Sequence, residues 1–180
     1  MNYSPETKNS LIKAGIKLFA LNAYSDISID TIVTEANISK GTFYYYFKSK
    51  EEFYKYLFDY AFITLMNIYT TNSLNKKSKE ELLYSFVYSV FEFFRNDKNL
   101  FFLIQRELVK IVIGEKSDLL DYQKKTLELL KEILKDEDPV LSFYVMGIIR
   151  SSIIYHLKTA EPLNSVLDKA WFYIKRLIKN

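Results

Sequence analysis

Two helix starts stand close together near the N-terminus, at Ile27-Ser28 and Ile38-Ser39, and their spacing admits only short helices joined by a tight turn. Ser28 has the chemistry of an N-cap, Asp30 sits in the first turn behind it, and Ile27 can staple to Ile32. Ile29, Ile32, Val33 and Ala36 mark one apolar face of the helix that follows. Asn37 tolerates the left-handed backbone of a turn, so Asn37 and Ile38 close that helix. Ser39 caps a second helix, and Ile38 staples to Phe43 in the same spacing as before. Phe43 and Phe47 then point inward one turn apart, leaving Lys40, Thr42, Tyr44, Tyr45 and Tyr46 on other faces. Three successive tyrosines cannot all enter a core, because neighbouring helical side chains diverge by about 100°.

The outward residues suit a phosphate backbone. No acid lies between Ser39 and Lys50, whereas Lys40, Lys48 and Lys50 are cationic. The N-terminus of the second helix adds backbone N–H groups and the positive end of its dipole. Hydroxyls of Ser39, Thr42, Tyr44 and Tyr45 supply further donors for phosphates and base edges. Gly41 places no side chain beside an approaching backbone.

Ser28, Ile32, Val33, Ala36 to Ser39, Gly41, Phe43, Tyr44, Tyr46, Phe47, Lys50 and Phe53 together resemble the DNA-binding signature of TetR-type (TetR/AcrR) transcriptional regulators. The resemblance reaches upstream through Ala14, Leu18 and Phe19, about the first third of the chain. It implies that the second helix enters a major groove, with Tyr44, Tyr45 and Lys50 on phosphates and Lys40 and Thr42 near bases. The full expected contact set is Ser28, Ser39, Lys40, Gly41, Thr42, Tyr44, Tyr45, Tyr46, Lys48 and Lys50. Two positions depart from the family pattern, which favours glycine. Ala23 stands at the exit of the first helix, where a left-handed alanine would cost about 1 kcal/mol unless Asn22 carries the turn. Asn37 replaces the other glycine without that difficulty.

Sparse punctuation, with four glycines and three prolines and no strand-like alternation, predicts an all-α chain of about nine helices. Ser4-Pro5 opens a helix to about Leu21, and Ser49 with Glu52 forms a capping box opening another to about Tyr69. The polar stretch from Thr70 to Glu81 ends in a second box, Ser78 with Glu81, before a helix to Arg95. After a break at Asn96–Asn99, helices are expected to Val112, ended by Gly114, and from Ser117 to about Lys135. Asp138-Pro139 and Glu161-Pro162 place proline at the first position of the last two. The expected organisation is a three-helix helix-turn-helix domain over 1–48, with the motif at about 28–47, and an effector-binding and dimerisation domain over 49–180. Residues 49–69 would be the connecting helix.

A net charge of only +3 implies no broad basic surface, so nucleic-acid affinity must come from a local patch or from two copies of it. Without cysteine there is no disulfide or thiolate metal site, which suits a reducing compartment. The first ten residues have no apolar core like that of a signal peptide, and no segment is expected to be long and apolar enough to span a bilayer; the expected location is cytoplasmic. One histidine, with no nucleotide-binding glycine pattern, no metal-binding pair of histidines and no nucleophile elbow, argues against an enzyme, a metal or a cofactor.

Apolar residues occur nearly all round the helix between Val140 and Leu157, so it needs cover on more than one face, while the apolar stripe of the last helix fits ordinary core packing equally well. The resemblance implies a four-helix homodimer interface there, and its expected residues are Leu141, Tyr144, Val145, Ile148, Ser152 and Tyr155 on one helix. Leu167, Trp171, Ile174 and Ile178 complete it on the other. Between Leu82 and Tyr155 the density of Phe and Tyr also suits an apolar pocket. Its expected lining is Phe86, Phe91, Phe102, Tyr122 and Phe143, with Gln105, Arg106 and Arg150 as polar groups; for Arg150 and Glu107 a structural ion pair fits at least as well as ligand contact, and His156 suits an interface better. The resemblance implies a ligand-responsive regulator, in its commoner form a repressor, that binds a palindromic operator as a homodimer and is released by a small apolar effector. The alternative reading is a helical protein-interaction module without DNA binding.

Overall fold

The computed structural model describes residues 4–95, 97–135 and 139–179. Among them the chain forms nine α-helices, one short 3-10 turn and no strand. The helices are α1 (Pro5–Leu21), α2 (Ile29–Glu35), α3 (Lys40–Tyr46), α4 (Lys50–Ser73), α5 (Lys79–Arg95), α6 (Lys98–Val112), α7 (Leu120–Leu134), α8 (Pro139–Thr159) and α9 (Leu163–Leu177). Asn96 and Asp138, which figured in expected helix boundaries, lie outside the described residues.

Helix starts follow the capping chemistry. Ser4, Ser28 and Ser39 accept the backbone N–H three residues on, at Thr7, Thr31 and Thr42. Ser49 does the same for Glu52, while the Glu52 carboxylate returns to the Lys48 N–H at 2.8 Å. Ser78 and Glu81 close a reciprocal capping box. Asn37 and Gly114 take left-handed backbone, φ 53° and 78°, as their turns require.

Five expectations change. Ala23 and Asn22 are both extended, φ −66° and −129°, so no left-handed strain arises at the exit of α1. Helix α4 runs on through Ser73 because Asn72 finds partners across the turn, donating to Ser89 Oγ at 3.0 Å while its carbonyl accepts from Ser85. Ser117 does not open α7 directly but turns its hydroxyl to Glu107, and Pro162 is the N-cap of α9 rather than its first residue. Finally, Val140–Thr159 is by length and composition one helix apolar enough to cross a membrane. It packs against α5 and α9.

The chain divides into two compact units. One comprises the residues up to Phe62 together with Asp97–Leu120, so α6 packs on α1. Its core is aromatic, with Phe19, Phe43, Phe53 and Phe58 fully buried around Leu11, Ile32 and Leu57. Gly15 allows α1 to meet α4, since a Cβ there would come within 2.5 Å of the Phe53 ring. The other unit comprises Ile63–Asn96 and Asp121–Asn180; α5, α8 and α9 pack together around Phe86, Val87, Val145, Ile149, Val166 and Ile174.

Candidate nucleic-acid interface

Helices α2 and α3 each have seven residues and would be unstable alone. Burial of Ile27, Ile32, Val33, Phe43 and Phe47 fixes them. Phe43 meets Phe53 edge-on at 5.5 Å between centroids, and Phe47 lies 4.9 Å from the same ring, so α3 is keyed to α4 through aromatic contacts.

That anchoring turns Tyr44 and Tyr45 outward, 50% and 60% exposed. Lys40, Gly41 and Lys48 are exposed beside them, as are Ser28 and Ser39 at the two helix starts. A Cβ on Gly41 would meet only the Ser39 hydroxyl, at 3.8 Å. Nothing inside the protein therefore requires glycine there, although glycine weakens a helix.

Three expected contacts are placed differently. Thr42 is 5% exposed, its hydroxyl 2.8 Å from that of Ser39, so it braces the cap instead of facing a base. Tyr46 turns back and donates its hydroxyl to the Ser4 carbonyl at 3.1 Å, tying α3 to the start of α1. Lys50 spends its ammonium on the carbonyls of Tyr24 and Ile27, at 2.9 and 2.7 Å, and lies 4.2 Å from the Tyr24 ring centroid. It holds the segment between α1 and α2 rather than standing ready for a phosphate.

One acid escaped the reading of residues 39–50 because it arrives from another helix. Asp30, on α2, accepts a hydrogen bond from Lys40 at 2.9 to 3.0 Å. This bond, and then the carboxylate's charge, hold the Lys40 ammonium above the usual lysine range. Only the helical register of α2 against α3 reveals the pairing.

The expected ligand residues do not share one setting. Phe86 and Phe91 are buried core of α5, Tyr122 is half-buried, and Phe143 and Arg150 are exposed on α8. Phe102, Gln105 and Arg106 belong to the other unit. Arg106 there donates to the carbonyls of Phe19 and Asn22, closing the C-terminus of α1. Glu107 is 1% exposed and accepts from Tyr54 at 2.7 Å, Lys110 at 2.5 Å and Ser117 at 2.6 Å.

Of the expected dimer residues, Val145, Leu167 and Ile174 are buried within the protomer and cannot meet a second copy directly. Leu141, Ile148, Ser152, Trp171 and Ile178 are half-buried, Trp171 lying against Tyr84 at 5.1 Å. Tyr144 and Tyr155 are exposed, and so are Phe143, Phe172 and Tyr173, three of the apolar side chains a repeating stripe alone did not single out.

Residues 11–57 match the model of the bacterial regulatory proteins of the tetR family. The chain is 36% identical over 137 residues to the dhaKLM operon transcriptional activator DhaS of Lactococcus lactis, covering 71% of this chain and 72% of that one. It is 33% identical over 126 residues to the HTH-type transcriptional regulator YerO of Bacillus subtilis, covering 68% of this chain but only 43% of YerO. Over 81 residues it is 31% identical to IcaR of Staphylococcus aureus, a negative transcriptional regulator of the biofilm operon icaADBC, covering 45% and 44% of the two chains. The fold matches that of a TetR-like transcriptional regulator from Rhodococcus sp. RHA1 with a TM-score of 0.77 at 15% identity, covering 94% of each chain.

Proposed function

This chain belongs to the tetR family of bacterial regulatory proteins, and on that premise we propose that it regulates transcription by binding a palindromic double-stranded DNA operator as a homodimer. The observation that carries the reading is Gly41, exposed and without an internal reason to be glycine, between Lys40 and the outward Tyr44 and Tyr45. A DNA backbone or base edge is the surface that arrangement fits: small at the point of closest approach, with cationic and hydroxyl donors around it. Lys40, Tyr44, Tyr45 and Lys48 are the proposed direct contacts; Ser28 and Ser39 offer hydroxyls at the rim, while Thr42, Tyr46 and Lys50 position the helix.

Functionally, residues 1–48 read DNA and residues 49–180 serve dimerisation and effector binding. The homodimer reading rests on α8, where Tyr144, Gly147, Ile148, Ser151 and Tyr155 share a face, and Gly147 has open space where a Cβ would be. The effector is proposed to be small and apolar, in keeping with the aromatic wealth of the C-terminal half, and to release the operator. The sign of regulation is proposed as repression, as for IcaR, whereas DhaS is an activator. The site of action is the cytoplasm, and no catalytic step is assigned.

The test is binding to a palindromic duplex from the chain's own upstream region across a salt series. Affinity should fall steeply as salt rises, with a slope of about −0.9 per phosphate neutralised. Tyr44→Phe, Tyr45→Phe and Lys48→Ala combined should abolish most of it; unchanged binding would remove the contact assignment. A protein that ignores DNA at every salt concentration would favour the interaction-module reading. A promoter fusion with and without the protein reads the sign of regulation, and a thermal-shift series of apolar against sugar-like compounds reads the effector class.

A further inference from the structure

An acid beside a DNA-reading helix needs a reason, because it repels the phosphates that supply most of the affinity. Of the two acids of α2, Glu35 is occupied by Lys17 of α1 at 2.6 Å, away from α3. Asp30 instead reaches across to the first residue of α3, its carboxylate 2.9 Å from the Lys40 ammonium, with 71% and 51% of the two side chains exposed. Its place in the first turn of α2 suits the helix dipole, but Ser28 caps that helix and the Asp30 carboxylate is given to Lys40 of α3 instead.

Resting on the DNA-binding reading, we propose that Asp30 is a specificity-determining residue that steers Lys40 away from phosphate and onto the O6 and N7 edge of a guanine. A lysine ammonium has three N–H donors and no directional fork. With one donor committed to Asp30, two remain for the paired acceptors of guanine in the major groove. A guanine edge is neutral and tolerates the nearby carboxylate. A phosphate oxygen carries its own negative charge and does not, so Asp30 penalises sequence-independent docking more than operator docking. Discrimination is thus built by weakening the wrong complex as well as by favouring the right one.

The experiment begins with an operator selected by the wild-type protein from a randomised duplex pool. Its binding, and that of a scrambled duplex of equal length, is measured across a salt series for the wild type, Asp30→Asn and Asp30→Glu. For Asp30→Asn, affinity for the scrambled duplex should rise about two- to five-fold, the range set by an exposed and loosely held ion pair. Its salt slope should steepen by about one phosphate per protomer as Lys40 is freed. Affinity for the operator should rise less, so the ratio between the two duplexes falls, and replacing the guanine under Lys40 should cost less than in the wild type. Asp30→Glu, which retains the charge, should restore most of the ratio. Equal ratios for wild type and Asp30→Asn would overturn the proposal. So would a parallel loss on both duplexes with a lowered melting midpoint, which would make Asp30 a purely structural residue. If the wild type selects no duplex at all, the DNA-binding reading falls and takes this one with it; if both proteins bind with the same discrimination, only the role of Asp30 falls.

Discussion

Lysines a few residues apart can have opposite duties, and Lys48 and Lys50 separate on what their ammonium groups already hold. Lys48 is exposed, whereas Lys50 is engaged by two carbonyls and the face of Tyr24. Lys50→Met keeps the stem but removes the charged donor, and should lower stability by about 2 kcal/mol, the usual scale for hydrogen bonds to a charged group. It should weaken operator binding without changing the salt slope, while Lys48→Ala should flatten that slope by about 0.9 with the melting midpoint unmoved. A salt series with thermal melts separates the two; a flattened slope for Lys50→Met would return Lys50 to the DNA surface. Gly41→Ala makes the complementary case: it should raise stability by about 0.5–1 kcal/mol and still reduce DNA affinity, since the free protein has room for the methyl and a DNA surface packed on α3 would not. The cap-and-staple pattern made Ser28, Asn37, Ser39, Phe43 and Phe47 legible before any coordinates, because these roles depend on neighbours within one helical turn. Lys50 and Thr42 were misplaced for the opposite reason. Whether a cation meets a phosphate or a carbonyl depends on the path of residues 23–27, and that path is set by Tyr24, stacked on Phe19 and edge-on to Tyr54, the latter distant in sequence.

At the level of elements, α6 shows what amphipathic spacing leaves open. Its start at Asp97, whose carboxylate accepts the N–H groups of Asn99 and Leu100, and its end near Gly114 follow from local chemistry. Its partner does not: a helix with one apolar face can lie on any complementary face, and this one packs on α1. Arg106 and Glu107 stood out as charges in apolar surroundings, and the structure gives them to the joints of this unit. Arg106 closes α1, and Glu107 receives Tyr54 of α4 and Ser117 beyond α6. Burial, followed by the hydrogen bond and charge of Glu107, pushes the Tyr54 phenol far above its usual range. The folded protein therefore keeps this proton where the unfolded chain releases it, so the contribution is complete below about pH 10 and declines as pH rises beyond it. Tyr54→Phe should cost about 2 kcal/mol at neutral pH and should flatten the alkaline fall in stability. Urea unfolding between neutral pH and about pH 11 measures both, with 10 as the ordinary tyrosine value. An alkaline limb identical to that of the wild type would show that Tyr54 is not held neutral by this contact.

For the whole molecule, a charge of +3 over 180 residues means that one copy presents a modest cationic patch to a polyanion. Two copies held rigidly convert the second half-site contact into an intramolecular event, and the gain comes from effective concentration instead of further contacts. That gain requires the two α3 helices to sit about 34–36 Å apart, one turn of DNA. DNA affinity should then depend on a surface remote from α3, and Gly147 is the place to test it. Glycine inside α8 costs roughly 1 kcal/mol relative to alanine and has nothing within 4 Å of its absent Cβ, so a protomer on its own gains nothing from it. A second α8 crossing between Tyr144 and Ser151 would gain close approach. Gly147→Leu should therefore leave helicity intact, shift the protein from dimer to monomer in sedimentation velocity, and lower operator affinity far more than affinity for a single half-site. Gly147→Ala, a smaller obstruction in the same helix, should fall between these two proteins in both measurements. If Gly147→Leu remained dimeric and bound the operator as the wild type does, the copies would have to meet through another surface, with the exposed Phe172 and Tyr173 of α9 the next to substitute.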